Sequence, residues 1–244
     1  MRDYQAEFQS RVAFIQKALS DAHAQGLVFG NSGGKDSALV GILCKAACDN
    51  TVGIILPCQS SRNYGEDRED GLAVATQFGI ETLTVDLTAA KEAMLAALTP
   101  AGGLSPMAAA NINPRLRMTA LYSVAQSRGA LVAGTGNRSE AAMGYFTKWG
   151  DGAYDLNPIA DLTVTEVYEF LRYLNAPSNI IDKAPSAGLF EGQTDEAELG
   201  VSYAAIDRYL LTGEATPEVA AKVDAAYTRS AHKRGLPLRY GEPV

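Results

Sequence analysis

Apolar residues recur at Phe8, Val12, Ile15 and Leu19, at spacings of four, three and four that predict an amphipathic helix ended by Gly26. Leu27, Val28 and Phe29 then form an unbroken apolar run, the mark of a strand buried on both faces. A turn at Ser32-Gly33-Gly34 precedes a helix over 36–47, and a second apolar strand over 52–56 is closed by Pro57. Glu66, Asp67, Glu69 and Asp70 crowd the start of a helix over 67–78, where the helix dipole favours negative charge. A strand over 82–87, a helix over 88–98, a Gly/Pro/Ala loop over 99–112, a helix over 113–127 and a strand over 130–133 follow. This alternation predicts an α/β fold, a parallel sheet covered by helices on both faces. Beyond residue 134 the pattern changes: a Gly/Asp-rich loop over 134–158, a helix over 163–174, a polar loop over 184–200, and helices over 202–211 and 217–229. No repeat or linker interrupts the chain, so residues 1–244 read as a single domain.

Composition narrows the function classes. The net charge of -7 argues against nucleic-acid binding, whose affinity comes mainly from Lys and Arg neutralising phosphates. Every apolar run is far shorter than the ~18–20 residues a membrane span needs, and the N-terminus lacks a signal-peptide core. Cys44, Cys48 and Cys58 cannot all pair with one another, which points to a reducing compartment and a soluble cytoplasmic protein. With no histidine nearby in sequence, they read as small buried hydrophobes.

Ser32-Gly33-Gly34-Lys35-Asp36-Ser37 lies between the first strand and the next helix. Backbone N–H groups at a helix N-terminus, approached past glycines, form an anion site. The common nucleotide loop G-x-x-x-x-G-K-[ST] fails at Phe29 and Asp36, and G-x-G-x-x-G fails at Ser32. Lys35 stands at a helix start, where its charge is unfavourable unless a bound anion compensates. The plainer alternative is that Ser32 or Asp36 merely caps the helix. Asp36 and Glu140 stand on the loops after two apolar strands, which converge when the strands are parallel neighbours. Two carboxylates plus phosphate oxygens suit Mg²⁺, although Glu140 also fits a simple helix-start acid.

The hexapeptide resembles the S-G-G-x-D-S pyrophosphate loop of the ATP pyrophosphatase superfamily. Further segments resemble the NAD synthetase family within it. These are Gly134-Thr135-Gly136-Asn137-Arg138-Ser139-Glu140, Gly144-Tyr145-Phe146-Thr147-Lys148-Trp149-Gly150-Asp151-Gly152, Asp155-Leu156-Asn157-Pro158-Ile159, Pro185-Ser186-Ala187-Gly188-Leu189, Glu191-Gly192-Gln193-Thr194-Asp195-Glu196, and His232-Lys233-Arg234. The resemblance runs from about residue 10 to the tail. It implies a Rossmann-like, doubly wound three-layer αβα domain of the adenine nucleotide alpha hydrolase type. It also implies a homodimer with the substrate site near the two-fold interface. The implied reaction is adenylation of the nicotinate carboxylate of deamido-NAD by ATP, release of pyrophosphate, and displacement of AMP by ammonia.

By the same resemblance Asp36 and Glu140 hold Mg²⁺, and Asp151 steers ammonium or takes its proton. Ser32, Gly33, Gly34, Lys35, Ser37, Thr135 and Ser186 are expected to bind ATP and pyrophosphate. Arg117, Tyr122, Tyr145, Lys148, Asp151, Asp155, His232 and Lys233 are expected to bind deamido-NAD. Bland alternatives stand beside these: Asp-Gly turn chemistry for Asp151 and Asp155, and a surface ion pair and a core aromatic for Arg117 and Tyr122. The 184–200 loop, with Gly188, Gly192 and Gly200, is expected to be a lid over the adenylate. One departure stands out. The family usually carries a Lys that contacts ATP phosphate where this chain has Val164, in phase with Val167, Leu171 and Leu174 as a core position. Lys35, Lys148 and Lys183 are candidates to replace its charge. Free ammonia is the expected nitrogen donor, since the glutaminase domain of glutamine-dependent relatives has no counterpart here. Another ATP pyrophosphatase amidating a different carboxylate, or a nucleotide-binding paralogue without activity, are the competing readings.

Overall fold

A computed structural model describes residues 2–58, 65–183, 195–237 and 239–241. Helix α1 (Tyr4–Asp21) begins at Asp3, whose carboxylate accepts from the amides of Gln5 and Ala6, and its Ile15 and Leu19 are buried as the spacing requires. Then come β1 (Gly26–Gly30), α2 (Lys35–Ala47), β2 (Thr51–Ile55), α3 (Glu66–Phe78), β3 (Glu81–Thr84), α4 (Thr88–Ala97), α5 (Pro106–Ala110), α6 (Ile112–Arg128) and β4 (Ala130–Ala133). The second half adds α7 (Arg138–Met143), α8 (Val164–Tyr173), α9 (Ser178–Ile181), α10 (Asp195–Leu199), α11 (Tyr203–Thr212), α12 (Pro217–Arg229) and α13 (Ala231–Arg234).

The four strands are parallel in the order β3-β2-β1-β4, with Val28 in register with Val52 on one side and Val132 on the other. Alternate side chains of β1 face opposite ways. Leu27 and Phe29 enter a core shared with α1, α2 and α8, while Val28 joins Val52, Ile54 and Val132 beneath Ala125 of α6. Both faces are therefore covered, which is why these strands carry no polar alternation. Phe29 fills space left by two glycines: a Cβ on Gly41 would fall 2.6 Å from its ring. A third cluster packs α11 and α12 onto α7 and α8 through Met143, Val164, Tyr203, Ile206, Val223 and Ala226.

The chain runs outward from β1 to β3 and returns to β4 beside β1. The order of strands thus reverses between β1 and β4, where a crevice opens at their carboxyl ends. Two segments expected as loops contain short helices. Ser105 caps α5 through the Ala108 amide, and Asn137 forms a capping box with Glu140 at α7. β3 ends at Thr84 rather than 87, although the amides of Val85 and Leu87 still bond the carbonyls of Ile55 and Pro57.

The 155–161 segment is tied down from outside. Arg11 of α1 donates to both carboxylate oxygens of Asp161 at 2.7 and 2.9 Å and to the Pro158 carbonyl. From there Asn157 donates to the Gly136 carbonyl at 2.8 Å, fixing the loop after β4. Among the described residues, no helix is long and apolar enough to cross a membrane.

Candidate active site

A cavity of about 640 Å³ opens at the carboxyl ends of β1, β2 and β4, within the size range of small-molecule sites. The loop after β1 forms its floor. Gly34 is the N-cap of α2 and offers no side chain to the first turn, so neither Ser32 nor Asp36 caps this helix, whose first residues, 35–37, line the cavity. Ser37 donates to the Gly34 carbonyl at 3.0 Å, and the Ser32 and Ser37 hydroxyls meet at 3.1 Å. Gly33 has φ +71°, and a Cβ there would sit 2.0 Å from the Asp67 carbonyl oxygen. That position demands glycine both for its left-handed backbone and for the close approach of α3.

Asp36 and Glu140 are joined by a residue to which the sequence reading gave no role. Asn137, fully buried, donates its side-chain amide to Asp36 Oδ1 at 3.1 Å. Its carbonyl oxygen accepts the Glu140 amide, and Glu140 Oε2 accepts the Asn137 amide, both at 3.0 Å. The N-x-x-E capping box was the available signal. Lys35 Nζ lies 2.7 Å from Asp36 Oδ2, with the rings of Tyr168 and Tyr203 about 6 Å away. Enclosure by protein and the neighbouring Asp36 push the Glu140 carboxyl well above the ordinary range, against the pull of Lys35. Burial opposes the Lys35 charge, but Asp36 and Glu140 more than offset it and raise its pKa.

A second polar cluster lies at the other end of α7. Lys233 donates to the carbonyls of Gly144 and Phe146 at 2.8 and 2.9 Å. Lys148 donates to the His232 carbonyl, and Arg115 reaches the Lys148 carbonyl at 3.3 Å. Asp151 accepts the Thr147 amide at 3.0 Å; enclosure raises its carboxyl pKa while this bond and Lys233 restrain it. Burial lowers the pKa of Lys233, with Asp151 opposing. Tyr145 donates to Glu198 at 2.7 Å, bringing α10 to the rim. Arg117 bonds the Leu56 carbonyl at 3.0 Å, and burial lowers its pKa.

The cavity thus gathers Ser32, Gly34, Lys35, Asp36, Ser37, Thr135, Glu140, Arg117, Tyr145, Lys148, Asp151, His232 and Lys233. Gly33 does not line it and instead backs onto the Asp67 carbonyl. Tyr122 and Asp155 do not line it: Asp155 accepts from the Val132 amide at 2.7 Å and the Tyr122 hydroxyl at 3.1 Å, pinning α6 to β4. Ser186 lies outside the described residues, as does most of the expected lid; its end, 195–199, is the helix α10. Arg115, beside the Arg117 assigned from the sequence, is a lining residue that the sequence reading passed over.

The sequence profile of the NAD synthase family matches residues 7–237. The chain belongs to this family. An NH(3)-dependent NAD(+) synthetase of Carboxydothermus hydrogenoformans is 47% identical over 238 residues, covering 96% of this chain and 97% of that one. Among solved structures, an NMN synthetase from Francisella tularensis matches with a TM-score of 0.93 at 37% identity, covering 99% of this chain and all of that one. An NH3-dependent NAD synthetase from Campylobacter jejuni matches with a TM-score of 0.80 at 30% identity, covering 98% and 99%. Within the NAD synthase frame Val164 is core: it is 3% exposed, and its amide donates to Ser139 Oγ at 3.2 Å.

Proposed function

We propose that the chain converts deamido-NAD to NAD, using ATP to adenylate the nicotinate carboxylate and free ammonia to displace AMP. The observation that carries this reading is the meeting of Asp36 and Glu140, through Asn137, beside the glycine loop at the start of α2. A carboxylate resists attack by ammonia because its charge repels nucleophiles and oxide leaves poorly. Conversion to a mixed anhydride with AMP replaces one hard step by two easier ones. The loop amides and Ser37 would receive the departing pyrophosphate, and the second cluster would hold the dinucleotide. Asp151, which lines the cavity, would attract the incoming ammonium and take its proton. A paralogue that only binds nucleotide would have no need for this acid pair.

Mg²⁺ belongs to the proposal. Two enclosed carboxylates face one lysine, so with both ionised the donor set carries one uncompensated negative charge; burial and the Asp36 charge raise the Glu140 carboxyl for want of a second cation, which a divalent ion would supply. Such an ion takes one or two carboxylates plus phosphate oxygens, and when bound it supplies positive charge against the leaving pyrophosphate. Asp36 and Glu140 would hold it.

A homodimer is supported by an uncovered face. Helix α4 buries none of its residues, and α6 buries only Asn113, Pro114 and Ala125 of its 17. Met94 of α4 is 42% exposed, and Val85, just after β3, is 36% exposed. Light scattering is expected to give a dimeric mass, and Met94→Lys to shift it toward monomer; a monomeric wild type would contradict this. The free thiols agree with a cytoplasmic setting.

The high overlap with the NMN synthetase favours a second reading, in which the nicotinate mononucleotide is amidated instead. One assay addresses both substrates and the nitrogen donor. Purified protein with ATP and Mg²⁺ is expected to yield NAD, AMP and pyrophosphate from deamido-NAD and ammonium, faster as pH rises at fixed total ammonium. Glutamine is expected to be inert. A higher kcat/KM for the mononucleotide would favour the second reading, and comparable NAD yield from glutamine would contradict the ammonia assignment.

A further inference from the structure

The three lysines that could compensate for Val164 occupy different places. Lys35 is bonded to Asp36 beneath Tyr168 and Tyr203. Lys148 is at the far end of α7, on the His232 carbonyl. Lys183 lies beside the glycine loop. Its ammonium donates to Asp67 Oδ1 at 2.9 Å and to Asp70 Oδ2 at 2.5 Å, both at the start of α3. Asp67 is the residue whose carbonyl Gly33 backs onto. Asn179 of α9 also donates to Asp70, and Tyr168 donates to the Lys183 carbonyl at 2.6 Å, so both ends of the ion pair are braced. Lys183 and Asp67 line the cavity.

We infer that Lys183 is the ammonium that binds the leaving phosphates of ATP, held next to the loop by Asp67 and Asp70 until the nucleotide arrives. This rests on the ATP-dependent reading above. As the substrate carboxylate oxygen bonds to the α-phosphorus, the bond from that phosphorus to the α–β bridging oxygen breaks. Its electron pair leaves with pyrophosphate, whose negative charge grows. A cation beside the loop stabilises that charge as it develops. A lysine suits the exchange, because a compact ammonium on a flexible stem can change partners without moving the backbone. The side chain is already desolvated by burial, so transfer to a phosphate would exchange its carboxylate partners, Asp67 and Asp70, for a more highly charged anion.

The test is calorimetric titration of the full chain with inorganic pyrophosphate in Mg²⁺ buffer, alongside steady-state kinetics. Lys183→Met is expected to weaken pyrophosphate binding by about tenfold or more, the scale of one charge-assisted hydrogen bond. KM for ATP should rise in step while KM for deamido-NAD stays within a factor of about two, and Lys183→Arg should restore most of the binding. Asp70→Asn separates this role from a structural one: by loosening the ammonium it should leave pyrophosphate binding equal or tighter. Wild-type affinity in Lys183→Met would overturn the inference, as would an equal loss in Asp70→Asn, since the ion pair would then only shape the wall. If Lys183→Met does not fold, the double variant Lys183→Met/Asp70→Asn removes both charges and should show the same loss; unchanged affinity there also overturns it. Wild type that forms NAD and AMP while Lys183→Met binds normally defeats this inference alone. Wild type that forms neither product defeats the functional reading, and the inference with it.

Discussion

Asp36→Asn and Glu140→Gln are each expected to slow adenylation by about 10²–10³-fold, the usual scale for losing one preorganised group that stabilises developing charge. The two losses have different structural costs. Asp36 neutralises Lys35 and accepts from Asn137, so Asp36→Asn leaves a buried ammonium short of its partner and should lower the melting temperature. Glu140→Gln keeps an oxygen for the Asn137 amide and removes a carboxyl that burial and Asp36 push toward the neutral form. Its melting temperature is therefore expected to equal or exceed that of the wild type while activity is lost. Stability withheld at a site in this way is common where function needs charges close together. AMP release under single-turnover conditions, with melting followed in the same preparations, reads both effects. Wild-type rates in either variant at limiting Mg²⁺ would refute the metal assignment.

Gly33→Ala should be nearly as damaging, through the backbone. At φ +71° an L-residue is strained by roughly 1–2 kcal/mol. The added carbon would also lie 2.0 Å from the Asp67 carbonyl oxygen, a clash that only a shift of the loop or of α3 relieves. Either shift moves the loop amides and the Lys183 platform together. ATP binding is expected to fall by at least about tenfold, since misplacing catalytic groups by about 1 Å can cost 10²-fold, with a lowered melting temperature. Gly34→Ala is the control for the fold, expected to keep the wild-type melting temperature: φ is -97° at Gly34, and a Cβ there would meet only Ser32 Oγ at 3.3 Å. Equal ATP affinity in Gly33→Ala and wild type would remove the steric argument.

The sheet was legible because β1 and β2 are buried on both faces, so their apolar runs carry the signal alone. Val164 was legible as core from its helical phase, and the buried position agrees. The two acids could be singled out because parallel neighbouring strands deliver their following loops to one crevice. What the sequence does not give is which partner each polar side chain finds once the helix and the loops are packed. Tyr122 and Asp155 carry groups as polar as those in the cavity, yet they bond each other and β4. Arg115 and Arg117, two apart on α6, both reach the cavity, and helical phase alone does not separate their partners. Asn137 looks like an ordinary helix cap in sequence. Its second bond, to Asp36 from 101 positions away, exists only once β1 and β4 are paired.

The central claim, attack of the nicotinate carboxylate on the α-phosphorus of ATP, is tested most directly by following oxygen. Deamido-NAD labelled with ¹⁸O in its carboxylate is supplied with ATP, Mg²⁺ and ammonium, and the products are analysed by mass spectrometry. The account predicts one ¹⁸O in the phosphate of AMP, one retained in the amide of NAD, and none in pyrophosphate. Label in orthophosphate, with ADP in place of AMP, would contradict it.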